Sequence, residues 1–181
     1  MELSATLRAH APTGHRVDGP SVALVDPPGY GSLDGASTSG NPGALSLGVD
    51  AGAAIPRFPD SFILSVAVCG YAWVDGNTGQ GIVAVIHPAI GRDSRQNPDG
   101  WHTHPVQLTG GTGISEFCIV SIGRSQGGIA IRGNELRLQM AVQWAGLSAG
   151  TLDVAAAFVV QPDEDCAATG LGVHVLDAEP L

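Results

Sequence analysis

The sequence predicts an all-β fold: an antiparallel β-sandwich or a jelly-roll-like barrel with an irregular Gly/Pro-rich N-terminal segment. Two observations favour this class. Short segments that alternate apolar and polar residues recur about every ten residues, and clusters of Gly, Pro, Asn and Asp separate them. No segment shows a convincing helical period, whereas regularly spaced short strands are typical of sandwiches and barrels.

The N-terminal third contains few strand signals. Residues 2–9 alternate between apolar and polar side chains, and residues 45–49 repeat the pattern weakly. Turn-forming residues dominate elsewhere, and residues 37–40 have the composition of a loop. We therefore predict that residues 1–60 form a loosely structured segment with two or three short strands. Residues 61–181 are then the β-sandwich domain.

The strand signal strengthens after residue 61. Residues 62–74 are rich in β-branched and aromatic side chains and predict a strand with a bulge at Gly70. A polar turn follows, and residues 82–87 return as the second strand of a hairpin. Gly133 and Asn134 predict a further two-residue hairpin turn. The remaining strands are predicted at residues 101–108, 116–122, 129–132, 135–142, 151–161 and 171–177.

Two histidines share one face of the strand predicted at 101–108. Because successive side chains of a strand alternate between faces, His102 and His104 point to the same side as Val106. Imidazole is a ligand for zinc and copper, so the pair predicts a divalent-metal site. His87, at the end of the neighbouring hairpin strand, is the preferred third ligand, and His174 is the next choice. The predicted cofactor is Zn or Cu, if any.

The His-x-His spacing also occurs in cupins and in copper–zinc superoxide dismutases. A cupin carries a glutamate a few residues after the pair, but no glutamate follows His104 before Glu116. The further histidines of the dismutases are missing downstream. The pair therefore assigns the chain to neither family.

A serine hydrolase is an alternative. Gly123 to Gly127 match the Gly-x-Ser-x-Gly pattern of a nucleophile elbow around Ser125, and Asp163 and His174 follow in the order expected of α/β-hydrolases. However, an elbow leads into a helix, and the residues after Gly127 have a β-like composition that ends at a hairpin turn. A glycine-rich β-turn therefore explains the motif better.

The composition narrows the class of partner. The net charge is −9, and the eight basic residues are all arginines scattered along the chain, so we expect neither nucleic acid nor an anionic membrane as a partner. The absence of lysine excludes a Schiff-base lysine and a Walker-type phosphate loop. We predict a non-enzymatic binding or structural module with an unknown ligand. Glycine-rich, weakly charged β chains also form homo-oligomers, so a self-assembling shell or filament is a further alternative.

The cysteines and the N-terminus do not decide whether the protein is cytoplasmic or secreted. Cys69, Cys118 and Cys166 are too far apart in sequence for a metal motif. They allow one disulfide with one buried thiol, or three reduced thiols. The first residues do not resemble a signal peptide. We expect a cytoplasmic protein if Met1 is native, and a secreted one if a leader has been removed.

Overall fold

The computed structural model describes residues 26–66, 68–88, 100–124, 127–142 and 146–181. Within these ranges the chain is all-β with antiparallel pairing, which confirms that part of the prediction. One four-stranded sheet has the order β1-β2-β8-β7, and six further strands close into a barrel in the order β10-β6-β5-β4-β3-β9. The strands are β1 Leu33–Asn41, β2 Ala44–Ala51, β3 Val68–Val74, β4 Gln80–Ile86, β5 His102–Gly110, β6 Phe117–Ile122, β7 Gly128–Arg132, β8 Glu135–Ala141, β9 Val154–Pro162 and β10 Leu171–Pro180.

Where the four-stranded sheet covers the barrel, the barrel strands carry apolar side chains on both of their faces. In β3, Ala72 and Val74 belong to a cluster to which all six barrel strands contribute, which places that cluster in the barrel interior. Their neighbours Tyr71 and Trp73 belong to a second cluster, together with side chains of β2 and β8. This second cluster is the layer between the barrel and the four-stranded sheet. Strand alternation thus sends successive residues of β3 into two different cores.

The four-stranded sheet has one apolar face. In β8, Leu136 and Leu138 are completely buried against the barrel, whereas Glu135 and Arg137 are exposed on the opposite face. The predicted hairpin between β7 and β8 is confirmed, and Gly133 has a φ of 63°, which favours glycine in such a turn. One apolar cluster thus lies between the sheet and the barrel, and the other lies inside the barrel, which is the enclosed space of the fold.

A short helix, α1 (Ser61–Val66), replaces the beginning of the strand predicted at 62–74. The carboxylate of Asp60 accepts a hydrogen bond from the backbone N–H of Ile63 at 3.0 Å, and the Asp60 carbonyl accepts one from Leu64. An aspartate in this position is a favourable helix N-cap. The β-branched and aromatic composition of the segment concealed this capping signal.

Two further predictions are wrong. Gly70 is not at a bulge, because it pairs in regular register with Val85 and Phe158. A Cβ atom at this position would lie 2.5 Å from the Ala84 carbonyl oxygen, so close packing requires the glycine. Residues 37–40 are not a loop but part of β1, which among the described strands is an edge strand paired with β2. Its polar composition reflects the exposure of an edge strand.

The strand predicted at residues 2–9 lies outside the described residues. The division of the chain at residue 60 stays a prediction, although β1 and β2 flank the same inter-sheet layer as strands after that point. In the part of the chain that the structure describes, no helix has the length and apolarity needed to cross a membrane.

Candidate functional site

The two histidines of β5 face the barrel interior, as strand alternation predicts. His104 lies opposite Val83 of β4, and His102 lies opposite Val85. Both valines belong to the interior cluster. The exposed fractions of His102 and His104 are 3% and 8%, so the two imidazoles are buried polar groups on an otherwise apolar surface.

His87 joins this pair directly after β4. Its Nε2 atom lies 3.0 Å from Nε2 of His102, and the two ring planes are nearly perpendicular with their centroids 4.6 Å apart. The ring centroid of His104 lies 5.0 Å from that of His102. His87, His102 and His104 therefore form one cluster, hereafter the histidine cluster, at one end of the barrel.

Each ring of the histidine cluster is oriented by a backbone carbonyl group. The Nδ1 atoms of His87 and His102 lie 2.7 and 3.0 Å from the carbonyl oxygens of Pro88 and Gly100. Nδ1 of His104 lies 2.8 Å from the carbonyl oxygen of residue 123. A carbonyl oxygen only accepts, so Nδ1 donates in all three contacts. In the neutral form of each ring, Nε2 then carries the lone pair.

His174 lies on the other side of the barrel wall. Its neighbour Val173 points into the barrel interior, so alternation directs His174 outward. Its Nδ1 lies 3.5 Å from a carboxylate oxygen of Glu116. The structure thus brings together three of the four histidines predicted as metal ligands and separates His174 from them.

No group of three or more His, Cys, Asp or Glu side chains among the described residues is arranged to hold a metal ion. The zinc or copper site stays a prediction. The geometry does establish that three of its predicted ligands share one end of the barrel.

The barrel encloses a cavity that sequence reasoning missed. Its volume is about 310 Å³, and the described residues of its wall are apolar apart from His87 and His104. Ile122 also lines it and is 47% exposed, so the cavity meets the surface beside that residue. The other lining residues are Val68, Ala72, Val83, Val85, Val106, Leu108, Ile119, Phe158, Val160, Leu171 and Val173.

The residues of the alternative hydrolase are only partly described. Ser125 lies outside the described residues, and strand β7, rather than a helix, begins at Gly128. Asp163 is buried and accepts hydrogen bonds from the hydroxyls of Ser115 and Thr112 at 2.6 and 2.7 Å. These hydrogen bonds, with a smaller contribution from His174, hold the pKa of Asp163 below its ordinary value. Asp163 thereby joins the loop after β9 to the loop before β6.

The cysteines adopt one of the two arrangements that the sequence allows. Cys118 of β6 and Cys166 form a disulfide with a Cα–Cα distance of 5.2 Å. Cys69 is free and buried in the layer between the barrel and the sheet. Burial raises the pKa of its thiol to about 12, so it is unsuited to nucleophilic chemistry.

The sequence contains only a weak indication of the cavity. Its inward positions on neighbouring strands carry small side chains, among them Ala72, Val83 and Val160. That signal becomes visible only once the strand pairing is known. No protein-family model, no curated protein and no solved structure matches this chain.

Proposed function

We propose that the chain is a non-enzymatic binding module whose barrel holds a small, largely apolar molecule with one hydroxyl group. The observation that carries the proposal is the apolar cavity of about 310 Å³ with histidines at one end. Binding pockets for small molecules are concave and mostly apolar, with a few polar groups that fix the orientation of the ligand.

The cavity volume sets the size of the ligand. A dry apolar cavity of roughly 150 Å³ accepts benzene, which has six carbon atoms. A cavity of twice that volume corresponds to about twelve non-hydrogen atoms on the same scale. The expected ligand is therefore the size of a two-ring aromatic compound or a medium-length alcohol.

His104 supplies the polar contact. Its Nδ1 donates to a backbone carbonyl group, so Nε2 is the acceptor of the neutral ring. Among the described lining residues, His87 and His104 are the polar ones, so a ligand with a hydroxyl group at that end matches the polarity of the cavity. The ligand class is thus an apolar alcohol or phenol rather than a hydrocarbon.

The test uses 1-naphthol, which is fluorescent and has a hydroxyl, and naphthalene, which lacks it. We expect saturable one-to-one binding of 1-naphthol and weaker binding of naphthalene. The substitution Ala72→Leu fills part of the cavity and should weaken 1-naphthol binding about tenfold. Ala130→Leu makes the same change at an exposed position of β7 and should have no effect.

A chain that binds no 1-naphthol, or whose Ala72→Leu and Ala130→Leu variants bind it equally well, would disprove the proposal. Val160→Phe, on another strand of the cavity wall, serves if Ala72→Leu fails to fold. The serine hydrolase and the self-assembling shell or filament stay predictions, since no contact among the described residues favours either over a binding module.

A further inference from the structure

The contact between His87 and His102 brings their two Nε2 atoms together. Both Nδ1 atoms donate to carbonyl oxygens, so in the neutral rings both Nε2 atoms would present lone pairs to each other at 3.0 Å. Two lone pairs at that distance repel. A metal ion between the two rings would be bound by both lone pairs and would remove this repulsion.

We propose that His87 and His102 bind a divalent metal ion of the zinc or copper class through their Nε2 atoms. Zinc lies about 2.0–2.1 Å from an imidazole nitrogen, so two nitrogens at the tetrahedral angle are about 3.3 Å apart. The observed separation of 3.0 Å differs from this by only a few tenths of an ångström. Small ring movements would let one ion contact both Nε2 atoms.

The surroundings of the pair suit a metal ion. A metal-bound histidine usually donates its other N–H group to a carbonyl or carboxylate oxygen, which fixes the ring orientation. The carbonyl groups of Pro88 and Gly100 provide this for His87 and His102. Imidazole is a borderline ligand that favours zinc and copper over magnesium or calcium.

His87 and His102 are the protein ligands that the described residues supply, and they lie at one end of the barrel cavity. His87 lines that cavity, and His104 is the nearest further imidazole. The metal would thus lie at the polar end of the cavity.

The experiment titrates the full chain, purified without a histidine tag, with Zn²⁺ in a calorimeter. We expect one Zn²⁺ per chain and at least a tenfold loss of affinity in both His87→Gln and His102→Gln. His174→Gln is the matched control, because His174 lies on the outer side of the wall, and it should bind Zn²⁺ as tightly as the unmodified chain. Circular dichroism verifies that each variant is folded.

Zinc-edge X-ray absorption on the unmodified chain provides a second readout, and two coordinated imidazoles are expected. Failure of the unmodified chain to bind Zn²⁺ would overturn the proposal. Equal losses in His174→Gln and His102→Gln would overturn it as well. The Ala72→Leu variant should keep its Zn²⁺ affinity, so a failure of the 1-naphthol test leaves the metal proposal separately testable.

Discussion

Removing the disulfide between Cys118 and Cys166 should lower the free energy of unfolding by about 4 kcal/mol. The two cysteines are 48 residues apart in sequence. For a loop of that length, the chain-entropy model gives a loss of about 13–14 cal/mol/K in the unfolded state, or about 4 kcal/mol at 25 °C. The substitution tested is the double change Cys118→Ala and Cys166→Ala, which leaves Cys69 in place.

The measurement is equilibrium unfolding in guanidinium chloride, followed by tryptophan fluorescence. Typical domains are stable by only about 5–15 kcal/mol, so the double variant should unfold at a much lower denaturant concentration. A reducing agent should have the same effect on the unmodified chain and none on the variant, which is the control.

A loss below about 1 kcal/mol would contradict the reasoning. It would mean that the unfolded chain is already constrained between these positions, or that the native bond carries a compensating cost. A reducing agent that destabilised the variant would show that the effect arises elsewhere in the chain.

Two further predictions concern buried groups. The lowered pKa of Asp163 means that its contribution to stability is fully present above the ordinary carboxyl range and is lost as the pH falls through the lowered value. Asp163→Asn should therefore be less stable than the unmodified chain near pH 7 and equal to it at low pH in urea unfolding, and a constant difference would refute this. The Cys69 thiol, with a pKa raised to about 12, should react with iodoacetamide at about pH 8 only after unfolding, and fast labelling of the native chain would refute its burial.

The elements that the sequence predicts best are those with one buried face. In β8, Leu136 and Leu138 alternate with charged residues, because one side of the strand faces the inter-sheet layer and the other faces water. The hairpin at Gly133 was predictable for a similar local reason, since few residues adopt its positive φ. Both signals depend on neighbours in sequence.

Barrel closure could not be predicted in this way. In β9, Ala156 and Phe158 face the barrel interior while Ala155 and Ala157 face the four-stranded sheet, so the strand is apolar throughout and lacks alternation. Closure also depends on the pairing of β6 with β10, which joins residues about fifty positions apart, such as Cys118 and Gly172. Nothing local in either segment encodes that partner.

The sequence predicts the direction of the histidine side chains of the candidate site, but it does not predict which histidines come together there. Alternation alone places His102 and His104 on one face and gives His87 the same direction as Val85. Whether a face points inward depends on the barrel, and for this reason the sequence could not separate His174 from the others. The cavity depends on the summed volumes of side chains from six strands.

The cavity is itself an argument for an occupant. Protein interiors are close-packed, and an apolar void reduces stability because the side chains around it lose contacts. The barrel keeps this cavity, which meets the surface beside Ile122, although its strands pack closely elsewhere, as at Gly70. A larger side chain at Ala72 would fill more of it by a single substitution. An apolar void with buried imidazoles at one end is costly when empty, and a ligand of matching size and polarity would offset that cost.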